Sequence, residues 1–337
     1  MRVVLIGPSH WHYPMYRDGI RRAQVEVVGV VDSNPVWGRK IADEWNCKAW
    51  SELRPMLDTV RPDFAFAFGV HAEMPTIAGA LIERRIPFSL EKPGGLTQAD
   101  VSRIRRSAEA ASLFASVPFH YRLSGLDNSI RQIATFPSSD FLRWDFRINA
   151  GSPVRFRESS PWLIDPRLAG GGCMMNLAHH AIDFLSQAVD SPVVQVSATA
   201  SHTFLGLEVE DAAVLELTYA DETSATVTTG YTHPVSADSY LEFDVAVSHR
   251  DFSAERRGPA LAVRSREAQT ETLIPTDWTF KNYFADYATI TIERVARGES
   301  PIANLADLES TVEIVQAGYQ SIRAKQPITI RATSQTV

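Results

Sequence analysis

The chain has 337 residues, 45% of them hydrophobic and 22% charged, enough for about two domains with their own cores and too apolar for a disordered chain. Lys+Arg 33 against Asp+Glu 40 leaves a formal charge of −7, which argues against a nucleic-acid partner. Two cysteines, Cys47 and Cys173, cannot build a disulfide framework, and no run approaches the ~20 apolar residues that span a bilayer.

The sequence opens on a strand-like run, Val3–Ile6, with no basic and apolar leader, so a cytoplasmic protein without a membrane partner is expected. Val25–Val31, Asp63–Phe68, Pro87–Leu90 and Leu113–Pro118 continue the series of short apolar runs without alternation, as parallel strands covered on both faces do. Helices are expected between them. Pro14–Ala23 gathers Met15, Gly19, Ile20 and Ala23 on one side. Val36–Trp45 starts after Pro35, and Thr97-Gln98-Ala99-Asp100 reads as a capping box opening a helix to about Ala111. Strand and helix in alternation imply right-handed crossovers and a doubly wound α/β domain over residues 1–119.

From Asp140 to Ile274 the period becomes two. Leu241, Phe243, Val245 and Val247 alternate with Glu242, Asp244, Ala246 and Ser248, and Ala213, Leu215, Leu217 and Tyr219 do the same with their neighbours. This predicts an open, mainly antiparallel sheet with one face in a core. A glycine-led helix over Gly172–Val189 and two closing helices, about Thr279–Arg297 and Asn304–Ala324, complete an α+β domain over residues 120–337.

The loop after the first strand, Gly7-Pro8-Ser9-His10-Trp11-His12, keeps only the first glycine of a Gly-x-Gly-x-x-Gly dinucleotide fingerprint. Ser9 stands where the backbone usually approaches a pyrophosphate, and His12 where a helix packs closely on the strand. Asp32 ends the second strand, where a carboxylate accepts hydrogen bonds from ribose hydroxyls and repels a 2′-phosphate. That favours NAD over NADP, although Asp32 also suits a turn before Ser33-Asn34-Pro35. Candidate cofactor contacts are therefore Gly7, Ser9, His10, Trp11 and Asp32, with Gly69 and His71 after the strand Asp63–Phe68. His10 and His12 also read as ordinary loop histidines. A metal held by His10, His12 and His71 lacks an accompanying carboxylate-rich motif, and none is expected.

Ile86-Pro87-Phe88-Ser89-Leu90-Glu91-Lys92-Pro93 places Glu-Lys-Pro at a strand end about 90 residues into the chain. The second half holds Trp162-Leu163-Ile164-Asp165-Pro166-Arg167-Leu168-Ala169-Gly170-Gly171-Gly172, then Asn176, His180 and Asp183. Together with the Asp307–Ile330 segment, these resemble, in order and over nearly the whole chain, the signature of the Gfo/Idh/MocA oxidoreductases (glucose–fructose oxidoreductase and inositol dehydrogenase type). The resemblance implies that Lys92 contacts nicotinamide and substrate, that Pro93 follows a cis bond, and that Glu91 belongs to the cofactor pocket. His180 matches the catalytic histidine, Asn176 stands where the family usually has aspartate, and Arg122 resembles an arginine at the nicotinamide–substrate boundary. Independently of the family, Asn176 and His180 are four apart and share a helix face. A packing histidine and a surface lysine are the plainer readings of His180 and Lys92.

The expected function is hydride transfer between NAD, or NADP, and a secondary alcohol of a sugar, polyol or derivative. His180 takes or returns the proton, Lys92 binds the reacting oxygen, and Asn176, an amide, orients without offsetting charge. Trp162 can stack on a sugar ring, and Arg122, Asp165 and His179 supply polar contacts. Arg155 and Arg157 suit an acidic sugar or simply face solvent. An NAD-dependent glycosidase and a non-catalytic regulatory homologue are the alternatives. The polar outer face of the second sheet leads us to expect a homodimer or homotetramer.

Overall fold

The computed structural model describes residues 1–125, 129, 140–235, 241–276 and 280–330. Thr279, the expected start of the penultimate helix, lies outside them. The chain divides into two compact units, the first formed by Met1–Leu123, Pro153–Gly170 and Thr279–Val312, the second by Ser124–Ser152, Gly171–Trp278 and Glu313–Val337.

The first unit is built on six strands: β1 (Arg2–Ile6), β2 (Glu26–Val31), β3 (Ala49–Trp50), β4 (Phe64–Ala67), β5 (Phe88–Leu90) and β6 (Ala115–Ser116). Their order is β3-β2-β1-β4-β5-β6 with every pair parallel, so the winding reverses between β1 and β4. Helices α1 (Tyr13–Arg22), α2 (Pro35–Glu44), α3 (Leu53–Val60), α4 (Met74–Glu83) and α5 (Gln98–Ala110) connect them. The capping box at Thr97 forms as expected, with Thr97 Oγ1 and Asp100 each taking the other's backbone N–H. The expected final strand, Leu113–Pro118, shrinks to two residues. β3, α3 and α4 are not expected from the sequence.

Both faces of this sheet are apolar because its strands alternate two apolar sets. Val3, Leu5, Phe64, Phe66 and Phe68 enter one core, and Val4, Ile6, Ala65 and Ala67 enter the other. Residues far along the chain complete them. Phe284, Tyr287 and Ile292 join the first core, while Leu305, Leu308 and Val312 join the second. That is why 279–312, which lies beyond a linear division at 119/120, packs with the N-terminal sheet. Tyr287 also ties its helix, α7 (Phe280–Arg297), to β5 and β6 through Ser89 Oγ at 2.9 Å and Ser116 Oγ at 2.7 Å.

Among the described residues the second unit holds nine strands: β7 (Phe141–Ala150), β8 (Val193–Ser201), β9 (Ala212–Tyr219), β10 (Ser224–Gly230), β11 (Leu241–His249), β12 (Phe252–Arg257), β13 (Ala260–Ser265), β14 (Glu271–Pro275) and β15 (Ile328–Thr329). They run in the order β14-β13-β12-β11-β7-β10-β9-β8-β15, antiparallel except for the parallel pair β7 and β10. Helix α6 (Cys173–Ala188) packs on β7, β9 and β10. The period-two residues behave as expected, with Leu215, Leu217, Phe243, Val245 and Val247 buried. The opposite face carries ion pairs, among them Arg147 with Glu242 and Asp244 and Arg143 with Asp145. The last long helix, α8 (Leu305–Ala324), has residues in both units. Among the described residues no helix is long and apolar enough to cross a membrane.

Gly19 on α1 lies against the backbone of Ala285, and a Cβ there would collide with the Ala285 carbonyl oxygen. Gly19→Ala is therefore expected to destabilise the protein by about 1–3 kcal/mol, read as a lower urea midpoint at constant m. An unchanged midpoint would show that the two helices do not pack so closely.

Candidate active site

At the carboxyl ends of β1, β2 and β4 lies a crevice walled by Gly7, Ser9, Asp32, Gly69, Val70 and Trp162 among others. Its floor requires glycine. Gly7 has φ +67°, and a Cβ on it would stand 2.8 Å from the Gly69 backbone. The crevice continues into a more open space past Ser33, Ser159 and Asp165. This is where a doubly wound sheet holds a dinucleotide. The buried Asp32 carboxylate is held by two backbone donors, Ser9 N at 2.6 Å and Asn34 N at 2.7 Å. Burial raises its pKa, and those two bonds oppose the rise. Asp32 thus anchors a turn and lines the crevice.

His12, in the place of the third fingerprint glycine, is buried and turns its Nδ1 to Glu91 Oε1 at 3.1 Å. Tyr16 of α1 donates to the same oxygen at 2.6 Å. Glu91 Oε2 is buried without a hydrogen-bond partner among the described residues. The loop is therefore fastened to the Glu-Lys-Pro turn from below, through two side chains that the sequence reading did not connect. Lys92 follows, buried, with its Nζ 6.0 Å from the Trp11 ring centroid. Burial pushes its ammonium down to about 8, against the opposing pull of Glu91. The Lys92–Pro93 bond is cis, as the resemblance implied.

Residues 153–170 supply the crevice's aromatic wall. The Trp162 ring meets His71 edge-on at 4.6 Å and His10 at 5.5 Å, while Phe156 stacks on Trp11 at 5.1 Å. Ser160 Oγ donates to Ser9 O, and His71 Nδ1 lies 2.8 Å from Ala169 O, which makes Nδ1 the protonated nitrogen. Trp162 thus packs against two histidines while lining the crevice. Among the described residues no group of His, Cys, Asp or Glu is arranged to hold a metal ion. Asp165 caps the turn Pro166–Ala169 through Arg167 N and pairs with the Arg167 guanidinium. Arg122 sets its guanidinium on Asp307 and the Ile302 carbonyl.

Asn176, His179 and His180 lie in the second unit, all buried on α6. The helix is seated by a carboxylate absent from the expected site. Glu210 accepts Gly172 N at 2.8 Å and Met174 N at 3.0 Å, and Tyr319 donates to it at 2.7 Å while accepting Met175 N. A Cβ on Gly171 would strike the Tyr319 hydroxyl, and one on Gly172 the Glu210 backbone. The glycine run signalled a close approach; what approaches was hidden because Glu210 is 38 residues from Gly172. Asn176 Nδ2 donates to Tyr231 OH at 3.0 Å, another partner that local pattern did not reveal.

Burial lowers His71 to about 3, and it also lowers His10, His12 and His120. An unfolded chain takes up the His71 proton near pH 6.5. Its contribution to stability is therefore complete above that pH and is lost as pH falls toward 3. His71→Asn, which keeps a donor for Ala169 O, is expected to flatten this part of the unfolding free energy plotted against pH from urea titrations. An unchanged slope would mean that native His71 is protonated.

The model of the oxidoreductase family with an NAD-binding Rossmann fold matches residues 1–119, and that of the GFO/IDH/MocA C-terminal domain matches residues 141–248. No curated protein matches by sequence. Among solved structures, an inositol dehydrogenase homologue from Azotobacter vinelandii, complexed with NAD⁺, is similar at 16% identity and TM-score 0.83, covering 98% of this chain and 97% of that one. A levoglucosan dehydrogenase complexed with NADH and levoglucosan is similar at 15% identity and TM-score 0.82, covering 98% and 99%. An oxidoreductase from Agrobacterium radiobacter, in complex with NAD⁺, L-tartaric acid and magnesium, follows at 14% identity and TM-score 0.80, covering 98% of each. These likenesses establish the fold, and the matched models establish the family: the chain belongs to the Gfo/Idh/MocA oxidoreductases, with an NAD-binding Rossmann domain at its N-terminus.

Proposed function

We propose that this protein oxidises a secondary alcohol of a sugar, polyol or sugar derivative, or reduces the corresponding ketone, with NAD(H). The observation that carries this reading is Lys92: a buried amine, lowered to about 8, beside the ring of Trp11 on the loop that forms the crevice. NAD, whose nicotinamide exchanges a hydride with the alcohol carbon, fits the crevice by its glycine floor and its ribose-binding carboxylate. Gly7, Ser9, Asp32, Gly69 and Val70 are the residues to hold it.

The reacting oxygen loses a proton in one direction and gains one in the other, so it needs a donor and a base. We assign Lys92 to hydrogen-bond that oxygen, because an amine near neutrality costs little to switch between its two forms. His180 receives the proton. Asn176, tethered to Tyr231, orients the imidazole or a substrate hydroxyl without supplying negative charge. The ion-paired outer face of the nine-stranded sheet supports assembly of a dimer or tetramer through it, and a cytoplasmic location belongs to the same reading.

Tryptophan fluorescence during NAD titration reports binding, since Trp162 lines the crevice and Trp11 lies on the loop beside it. A screen of inositol, levoglucosan and other polyols by NADH absorbance then reports turnover. Lys92→Ala and His180→Ala are each expected to lower kcat by about 10²–10⁴-fold while NAD still binds. Release of sugar from an aryl glycoside without net NADH, or binding with no turnover on any alcohol, would overturn the dehydrogenase reading.

Asn176→Asp would place a carboxylate one helical turn from His180 and stabilise its imidazolium. The acid limb of the pH–rate profile is expected to move to higher pH; a profile that does not move would remove Asn176 from the proton-transfer machinery.

A further inference from the structure

We infer that Glu73 is a second cofactor-selecting carboxylate, which acts with Asp32 to exclude a dinucleotide bearing a 2′-phosphate. The inference rests on the cofactor reading above and names a residue that the dinucleotide fingerprint does not contain.

Glu73 walls both the inner crevice and its wider outer part, together with Ser9, Ser33 and Val70. Asp32 reaches the crevice from the end of β2, and Glu73 reaches it from the first residue before α4. The two sense one another, for Asp32 adds to the burial that raises the Glu73 pKa. Among the described residues lining these spaces there is no lysine or arginine. On the neighbouring helix α2, Lys40 holds its Nζ over the Trp37 ring at 4.6 Å, and neither Lys40 nor Arg39 is part of the wall.

Glu73 also occupies a position of consequence. The start of a helix carries partial positive charge and unpaired N–H groups, which attract anions. At the N-cap of α4 the Glu73 carboxylate makes no hydrogen bond to the helix, and its charge opposes that attraction for an incoming phosphate. Asp32 by itself is a weaker discriminator, since both of its oxygens already accept backbone N–H groups and burial opposes its charge. A 2′-phosphate, carrying about two negative charges, therefore meets two carboxylates and no cation. An unphosphorylated ribose brings no charge for them to repel.

The test is binding to the intact protein, followed by tryptophan fluorescence with NAD and with NADP at low and high salt. The wild type is expected to prefer NAD. Glu73→Gln should tighten NADP binding roughly five- to tenfold and leave the NAD dissociation constant within about twofold. Glu73→Lys should tighten NADP further, and Glu73→Asp should restore the wild-type ratio. The preference should shrink with salt in the wild type and respond less to salt in Glu73→Gln. An unchanged NADP/NAD ratio in Glu73→Gln and Glu73→Lys, with NAD binding intact, would overturn the role of Glu73 alone. A wild type that binds neither dinucleotide would overturn the cofactor reading and this inference with it.

Discussion

A carboxylate buried beside a lysine governs the first unit. Glu91 lies out of water at the end of β5, next to Lys92, and a buried anion costs several kcal/mol unless donors or a cation meet it. His12 and Tyr16 both turn to its Oε1, and hydrogen bonds to a charged group contribute roughly 1.5–3 kcal/mol each. This one cluster explains several features together. It gives a reason for a histidine where a dinucleotide loop ordinarily has glycine, since the imidazole reaches a partner beneath the loop. It joins the loop to the Glu-Lys-Pro turn, so the backbone of one is placed by the other. It also leaves a carboxylate beside a lysine that burial drives toward its neutral form.

The loop shows how a fingerprint can be lost without losing the crevice. Only Gly7 must be glycine, because its φ is positive and Gly69 fills the space of a side chain. The other two positions are served by different physics. Ser9 gives its backbone N–H to Asp32, which draws the loop toward the end of β2. His12 fills the space under α1 with a ring that touches Phe284 at 4.8 Å and Trp11 at 3.7 Å. Histidines in this unit are kept neutral by burial, so they act as aromatic packing and as hydrogen-bond groups.

In the second unit the same problem, a buried carboxylate, is solved by a helix. The first N–H groups of α6 have no partners within the helix, and Glu210 meets them with both oxygens. Tyr319 completes the arrangement and comes close enough that Gly171 admits no side chain. Asn176 and His180 sit on the helix so anchored, four residues apart, and their height along it follows from where Glu210 holds its start.

Local rules were enough for much of this protein. Apolar runs without alternation identified the parallel strands, period two identified the sheet of the second unit, and Thr97, Pro35 and the glycine run located helix starts. Those signals are local because side-chain periodicity follows from backbone geometry within a single element. Short elements escaped: β3 has two residues, too few for a period, and α4 is apolar on nearly every side. The tertiary structure alone decided the pairings that make a site. His12 with Glu91, Glu210 with Gly172, Asn176 with Tyr231 and Glu73 with Asp32 join residues distant in the chain. The burial that shifts Lys92 and His71 likewise depends on what packs around them. No residue carries that information by itself, because desolvation and hydrogen-bond satisfaction belong to the neighbours a folded chain brings up.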